Sequence, residues 1–281
     1  MNDATGVTTE KVGLTAERET ALITLVGKAR QSASADPILP DPWAEAAVER
    51  VDYDFAKLKV RDYESRIIAI RSTEFDALAR SFIAEHPDAI VLGLGCGLDS
   101  RVFRVDPPAT VAWVDIDFAD VVDLRRRLFP EREGYSMVGA PVGEPGWLDS
   151  VPTDRPVMAL AEGLSMYLDE PTMRRLLNDI TGRFPSGRIA FDAWSTMSLR
   201  GAQRRGIKGT GASFGWAIDD PASIRALDEH LVLEREISAT DLVAFRRMPA
   251  WSRVVSRLMS PIASLRRANR ILVYRFGRPT P

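Results

Sequence analysis

A chain of 281 residues can bury one sizeable core, and its 45% apolar content is that of a globular protein rather than a disordered one. Its 37 basic and 39 acidic side chains nearly cancel, which argues against a nucleic-acid partner, because phosphate binding calls for a basic surplus on one face. The single cysteine, Cys96, rules out an internal disulfide, no apolar run reaches the ~20 residues of a membrane span, and a cytoplasmic setting is expected.

The first dozen residues are polar. From there to residue 31 the pattern predicts an amphipathic helix, with Leu22, Ile23, Leu25 and Val26 on its apolar face. Pro37, Pro40 and Pro42 interrupt the chain. A second helix is expected over 42–51, with proline in its first turn and Asp41 placed to cap it. A third runs over 62–85, where Ile67, Ile70, Phe75, Leu78 and Phe82 recur every three or four residues until His86 and Pro87 stop it. Residues 1–86 are therefore read as an N-terminal helical cap.

The rhythm then changes. Ala89-Ile90-Val91-Leu92 is short, wholly apolar and followed by glycines, as suits a strand buried in a parallel sheet. Further strands are expected over 110–114, 135–138, 156–161 and 188–191, with helices over 118–129 and 171–184. Strands alternating with helices imply βαβ units and a doubly wound, mostly parallel α/β sheet. Strands over 231–237 and 271–276 flank an Arg-rich helical stretch, 250–267. Residues 194–217 are rich in Gly, Ser and Arg and read as a loop or lid inserted into a core of residues 87–281.

In such a sheet the ligand lies beyond the carboxyl ends of the strands. The first strand runs into Gly93-Leu94-Gly95-Cys96-Gly97-Leu98-Asp99, whose glycines let the backbone approach a ligand. The second strand ends in Asp115-Ile116-Asp117, about 20 residues on, where a carboxylate can take both hydroxyls of a ribose. With the two acids placed on opposite faces of the strand, only one is expected to face the ribose. Glu162 abuts the apolar strand before it and suggests a positive or hydrogen-bonding ligand group. These residues point to a nucleoside-containing cofactor.

Other motifs fail. Gly163-Leu164-Ser165-Met166-Tyr167 lacks the last glycine of a nucleophile elbow. The run from Gly206 to Gly211 has the composition of a P-loop, yet its lysine precedes the glycine and no strand leads into it. His86 and His230 are the only histidines, so no metal site is expected.

The block from Leu94 to Arg104, LGCGLDSRVFR, resembles the LGAGLDTRAFRL block of the leucine carboxyl methyltransferase superfamily and its bacterial polyketide O-methyltransferase branch. Asp41-Pro42-Trp43-Ala44, Arg71-Ser72-Thr73-Glu74-Phe75-Asp76, the run from Asp115 to Val121 and Ala161-Glu162-Gly163-Leu164-Ser165-Met166-Tyr167-Leu168 are similar to further blocks of that superfamily. The resemblance implies a Rossmann-like class I methyltransferase using S-adenosylmethionine. Carried over, Arg71 would hold the methionine carboxylate and Glu162 would lie near the amino group. Gly93, Gly95, Cys96, Gly97 and Asp99 would line the site, and Asp117 or Asp115 would take the ribose. One departure stands out: the acid that contacts adenine in the superfamily is replaced by Ala140, within Gly139-Ala140-Pro141.

The acceptor is then a small, polyketide-like molecule methylated on a carboxylate or phenol, with homodimerisation left open. A carboxylate, ionised at pH 7, needs no general base, which suits a chain with two histidines. Tyr167, Trp194, Phe214 and Trp216 are candidates for an aromatic wall, and Arg66, Arg101 or Arg104 for orienting an anionic acceptor. An NAD-dependent oxidoreductase, and a cofactor-binding protein without turnover, are the competing readings.

Overall fold

A computed structural model of the protein describes residues 9–11, 14, 16–205, 214–259 and 267–277. The strands are β1 (Glu10–Lys11), β2 (Val51–Asp52), β3 (Ile90–Leu94), β4 (Ala112–Asp117), β5 (Tyr135–Gly139), β6 (Val157–Ala161), β7 (Ser186–Trp194), β8 (Val232–Ser238) and β9 (Asn269–Gly277). The helices are α1 (Thr20–Ser32), α2 (Pro42–Arg50), α3 (Asp62–Glu85), α4 (Arg101–Val105), α5 (Ala119–Leu128), α6 (Glu170–Arg183), α7 (Thr196–Arg205) and α8 (Ala250–Met259).

Seven strands form one sheet in the order β5-β4-β3-β6-β7-β9-β8. Its first five neighbours pair in parallel, and β9 runs antiparallel to both β7 and β8. From β3 the chain steps outward through β4 to β5, then returns to place β6 on the other side of β3. That reversal is the topological switch point, where a doubly wound sheet opens a crevice. Period-two alternation divides the strand residues between two cores. Ile90, Leu92, Leu94, Val114, Ile116, Ile189 and Phe191 meet α6 through Met173, Leu177 and Ile180. Val91, Trp113, Met158, Leu160 and Ala190 meet α3 through Ile70, Phe75, Leu78 and Phe82. A third cluster packs Leu22, Leu25 and Val26 of α1 and Ala44 and Ala47 of α2 against Leu98 and the Val121, Leu124 and Leu128 face of α5.

Helix α3 occupies the expected residues, while α1 starts later than its pattern implied, after a 3-10 turn at Ala16–Glu19. The expected loop over 194–217 is corrected in part. Its first half is the tail of β7, lengthened by antiparallel pairing with β9 as far as Trp194↔Asn269, and helix α7. Residues 206–213, with the Gly206–Gly211 run, lie outside the described residues, as do 260–266 of the helix expected over 250–267.

Asp41 caps α2 by accepting from the Ala44 amide at 3.0 Å. The same fully buried carboxylate accepts from the Ser100 hydroxyl and from Arg104 Nη1 at 2.7 Å, tying α2 to α4. Asp41→Ala removes both the cap and one buried partner of Arg104. It is expected to cost about 3–5 kcal/mol of folding stability in urea titrations.

Candidate functional site

A cavity of about 490 Å³ opens at the switch point. Arg71, Gly93, Gly95, Cys96, Gly97, Asp99, Asp115, Asp117 and Glu162 all line it, so the residues singled out in the sequence come together in one place. Its floor is the turn after β3. Gly97 takes φ +50° there, a conformation that favours glycine, and a Cβ on it would stand 3.0 Å from Ala21 Cβ of α1. At Gly93 a Cβ would meet Asp115 Oδ1 at 2.2 Å.

Asp115 and Asp117 do not lie on opposite faces. Residues i and i+2 of a strand share a face, and both acids line the cavity. What separates them is their partners. Asp117 Oδ2 accepts from the Gly97 amide at 2.7 Å, and Oδ1 accepts from the Phe118 amide at 2.7 Å. Burial pushes its carboxyl above the ordinary value, against the pull of those two amides. Asp115 is instead tied inward. It accepts from Trp113 Nε1 at 3.0 Å, from the Tyr135 hydroxyl at 2.9 Å and from Arg125 Nη2. Arg125, fully buried, also donates through Nη1 to the Gly97 and Asp99 carbonyls at 2.9 and 2.8 Å. Asp115 thus holds the guanidinium that fastens the glycine turn from beneath.

A second polar group fills the other wall. Arg71, Ser72, Phe75 and Asp76 share one face of α3, because residues four apart stack on a helix. Arg71 donates through Nε to Glu162 and through Nη1 to Asp192, both at 2.9 Å. Glu162 also accepts from the Ser72 hydroxyl at 2.8 Å and from Arg101 Nη2. Arg101 and Arg104, three apart on α4, both reach Asp76 and Asp99 at 2.8 Å. Lys28 of α1, 2% exposed, reaches Asp99 at 2.8 Å.

The charges decide the protonation states. Burial tends to raise the Glu162 carboxyl, but Arg71, Lys28 and Arg101 outweigh it and bring it from 4.5 to about 2. Asp99 is likewise held well below its ordinary value, as Arg101, Arg104 and Lys28 overcome burial. Asp192 goes the other way: burial raises it despite Arg71. Burial also pushes the Cys96 thiol well up, so Cys96 is a packed thiol and not a thiolate nucleophile.

Of the residues considered for an acceptor, Tyr167 lines the cavity. Phe214 stacks on it at 5.6 Å between ring centroids, and Trp194 lies 5.4 Å from Phe214. Trp216 packs instead against the α6-side core. Arg101 lines the cavity, whereas Arg104 is spent on carboxylates behind it and Arg66 pairs with Asp62 at the start of α3. Among the described residues, no three His, Cys, Asp or Glu side chains are grouped to hold a metal ion.

Sequence reasoning missed Lys28, Asp76, Asp192 and Arg125. Lys28 had a signal: it falls on the apolar stripe of α1, three residues after Leu25. Asp192 had another, as an acid at the carboxyl end of a buried strand, like Glu162. Asp76 closes the Arg71–Asp76 block that resembles the superfamily, whereas Arg125 is recognisable only through its tertiary partners.

The sequence model described as "Leucine carboxyl methyltransferase" matches residues 21–137. The tetracenomycin polyketide synthesis O-methyltransferase TcmP of Streptomyces glaucescens is 41% identical over 271 residues, covering 95% of this chain and 99% of that protein. The chain belongs to the leucine carboxyl methyltransferase family. A further family relative, the S-adenosyl-L-methionine-dependent methyltransferase dpfgK of Gibberella zeae, is 33% identical over 79% of this chain and 80% of its own. Among solved structures, one from Thermobifida fusca has a TM-score of 0.56 at 16% identity, covering 91% of this chain and 95% of its own. The plantazolicin methyltransferase BamL, solved in complex with a triazolic desmethylPZN analog and S-adenosylhomocysteine (SAH), has a TM-score of 0.51 at 9% identity, covering 94% of this chain and all of its own. Both share the fold.

Two outcomes follow. Asp115→Ala leaves the fully buried Arg125 without its counter-charge and is expected to lower stability by about 3–5 kcal/mol in chemical denaturation. The depressed pKa of Glu162 stabilises the fold fully above about pH 4.5, and this contribution is lost as pH falls toward 2. In circular dichroism across that range, Glu162→Gln should unfold with a shallower dependence on pH than the unmodified protein.

Proposed function

We propose that the cavity binds S-adenosylmethionine and that the chain transfers its methyl group to an oxygen of a small, polyketide-like acceptor. The observation that carries this is the order of polar groups across the strand ends. Arg71, Lys28 and Glu162 stand at the β6 side, the glycine turn follows β3, and Asp117 ends β4. Those groups match an amino acid, a sulfonium-linked ribose and its hydroxyls in sequence. Arg71 and Lys28 suit the carboxylate, Glu162 the ammonium, and Asp117 the ribose. The backbone of Gly93, Gly95, Cys96 and Gly97 would lie along the cofactor, and Asp99 would hold Lys28 and Arg101 beside it. The charged cluster joins Lys28, Arg71, Arg101 and Arg104 to Asp41, Asp76, Asp99, Glu162 and Asp192, four cations against five carboxylates. One negative charge in excess suits a ligand with a sulfonium. Of the segment before residue 87, read from the sequence as a helical cap, α1 covers the site, whereas α3 packs into the core beneath the sheet.

When bound, S-adenosylmethionine supplies a methyl group on sulfur that is already a good leaving group. The chain's own contribution is then placement and exclusion of water. Orientation of this kind is worth up to ~7–11 kcal/mol in favourable cases. Helix α1 lines the mouth with Thr20, Ala21, Thr24 and Lys28, and the Tyr167, Phe214 and Trp194 rings offer a planar acceptor a stacking edge. No histidine lines the cavity. A carboxylate acceptor (ordinary pKa ~4) needs no base, whereas a phenol (~10) does, so we favour carboxyl methylation. Family membership supports this reading over a dinucleotide oxidoreductase. A reducing cytoplasm and a role in secondary metabolism fit the free Cys96 and a polyketide-like acceptor. No helix among the described residues is long and apolar enough to cross a membrane.

Calorimetric titration tests the assignment. SAH should bind, NAD should not, and Asp117→Ala and Arg71→Ala should each weaken binding by about ten- to a hundredfold, the worth of a charged hydrogen bond. Binding of NAD alone, or equal and negligible losses in both variants, contradicts it.

A further inference from the structure

Beyond Asp117 the cavity continues to the end of β5, where its wall is Phe118, Ala140, Pro141, Val142 and Leu168. Strands β6, β3, β4 and β5 stand side by side in that order. Spacings of ~4.8 Å put the ends of β6 and β5 about 14 Å apart. On the reading above, a cofactor held at Glu162 by its amino group and at Asp117 by its ribose carries its base to this far end. Apolar side chains suit the faces of a purine, but its edge needs polar partners. Asp117 is taken by the ribose on that reading, and Arg18, 4.1 Å above the Phe118 ring, is paired with Asp120 at 2.8 Å.

Glu144 is the remaining charged side chain on this wall. It is exposed, and no hydrogen bond or ion pair engages its carboxylate among the described residues. Its backbone is fixed on both sides. The Glu144 amide donates to Pro141 O at 3.3 Å, and its carbonyl accepts from the Trp147 amide at 3.3 Å. Trp147 is buried and donates to Asp179 at 2.7 Å. Gly143, at φ +78°, lies against Thr172 of α6, 3.2 Å from Cγ2 to where a Cβ would stand. The turn therefore presents a solvated carboxylate at the rim of an apolar slot, four residues after Ala140.

We propose that Glu144 accepts a hydrogen bond from the exocyclic amine of adenine and so selects a 6-amino over a 6-oxo purine, a proposal that rests on S-adenosylmethionine binding in this cavity. The test is titration of the unmodified protein, Glu144→Ala and Glu144→Gln with SAH and with S-inosylhomocysteine, its 6-oxo counterpart. The unmodified protein should prefer SAH by about tenfold or more. Glu144→Ala should bring the ratio close to one by weakening SAH. Glu144→Gln should do so by admitting the 6-oxo compound, since an amide both donates and accepts. As an exposed side chain, Glu144 should leave the melting temperature unmoved in both variants. An unchanged preference in both variants overturns the proposal while leaving the cofactor assignment intact. Failure of the unmodified protein to bind either nucleoside overturns both.

Discussion

The site depends on a buried knot of charge. Glu162 at the end of β6 is gripped by Arg71 and Ser72 of α3 and by Arg101 of α4. Arg101 in turn holds Asp76 and Asp99, and Asp99 draws in Lys28 from α1. Taking so many charges out of water is costly, and an apolar cluster of the same volume could be as stable. The knot is therefore better understood as a device for placement. Each guanidinium is fixed by two or more carboxylates, so the groups facing the cavity have little freedom to reorganise when a zwitterionic ligand arrives.

The glycine turn is held by a separate and simpler device. Arg125, at the last turn of α5, reaches through the floor to two carbonyls of the turn, and Asp115 and Tyr135 balance it. Two neighbouring acids of one strand thereby acquire different tasks. Asp115 supports the turn from within, and Asp117 meets the ligand space. The charged knot and this floor flank the cavity from the β6 and β4 sides of the switch point, and on the proposed reading they would hold a ligand at both ends.

Much of this was legible in the chain. The helix over 62–85 was readable because its apolar period is regular, acids open it and His86-Pro87 closes it. The parallel strands were readable in outline because buried parallel strands are short apolar runs, but β4 runs on to Asp117 rather than ending at 114, and β5, at the sheet edge, is only partly covered. What escaped was mostly non-local. Helix α7 lies in a Gly-, Ser- and Arg-rich stretch with little apolar period, and β7 extends to Trp194 only because β9 pairs with it. The roles of Asp76 and Arg125 exist only where distant elements meet. The relation of Asp115 to Asp117 is different in kind. Strand alternation already puts them on one face, and only their partners distinguish them.

A crystal structure of the protein with SAH tests the account most directly. The account predicts the homocysteine carboxylate against Arg71 and Lys28, the ammonium against Glu162, and both ribose hydroxyls on Asp117, with Asp115 still bound to Arg125. A nucleoside lying with its base at the Arg71 end, or with its ribose on Asp115, would contradict it.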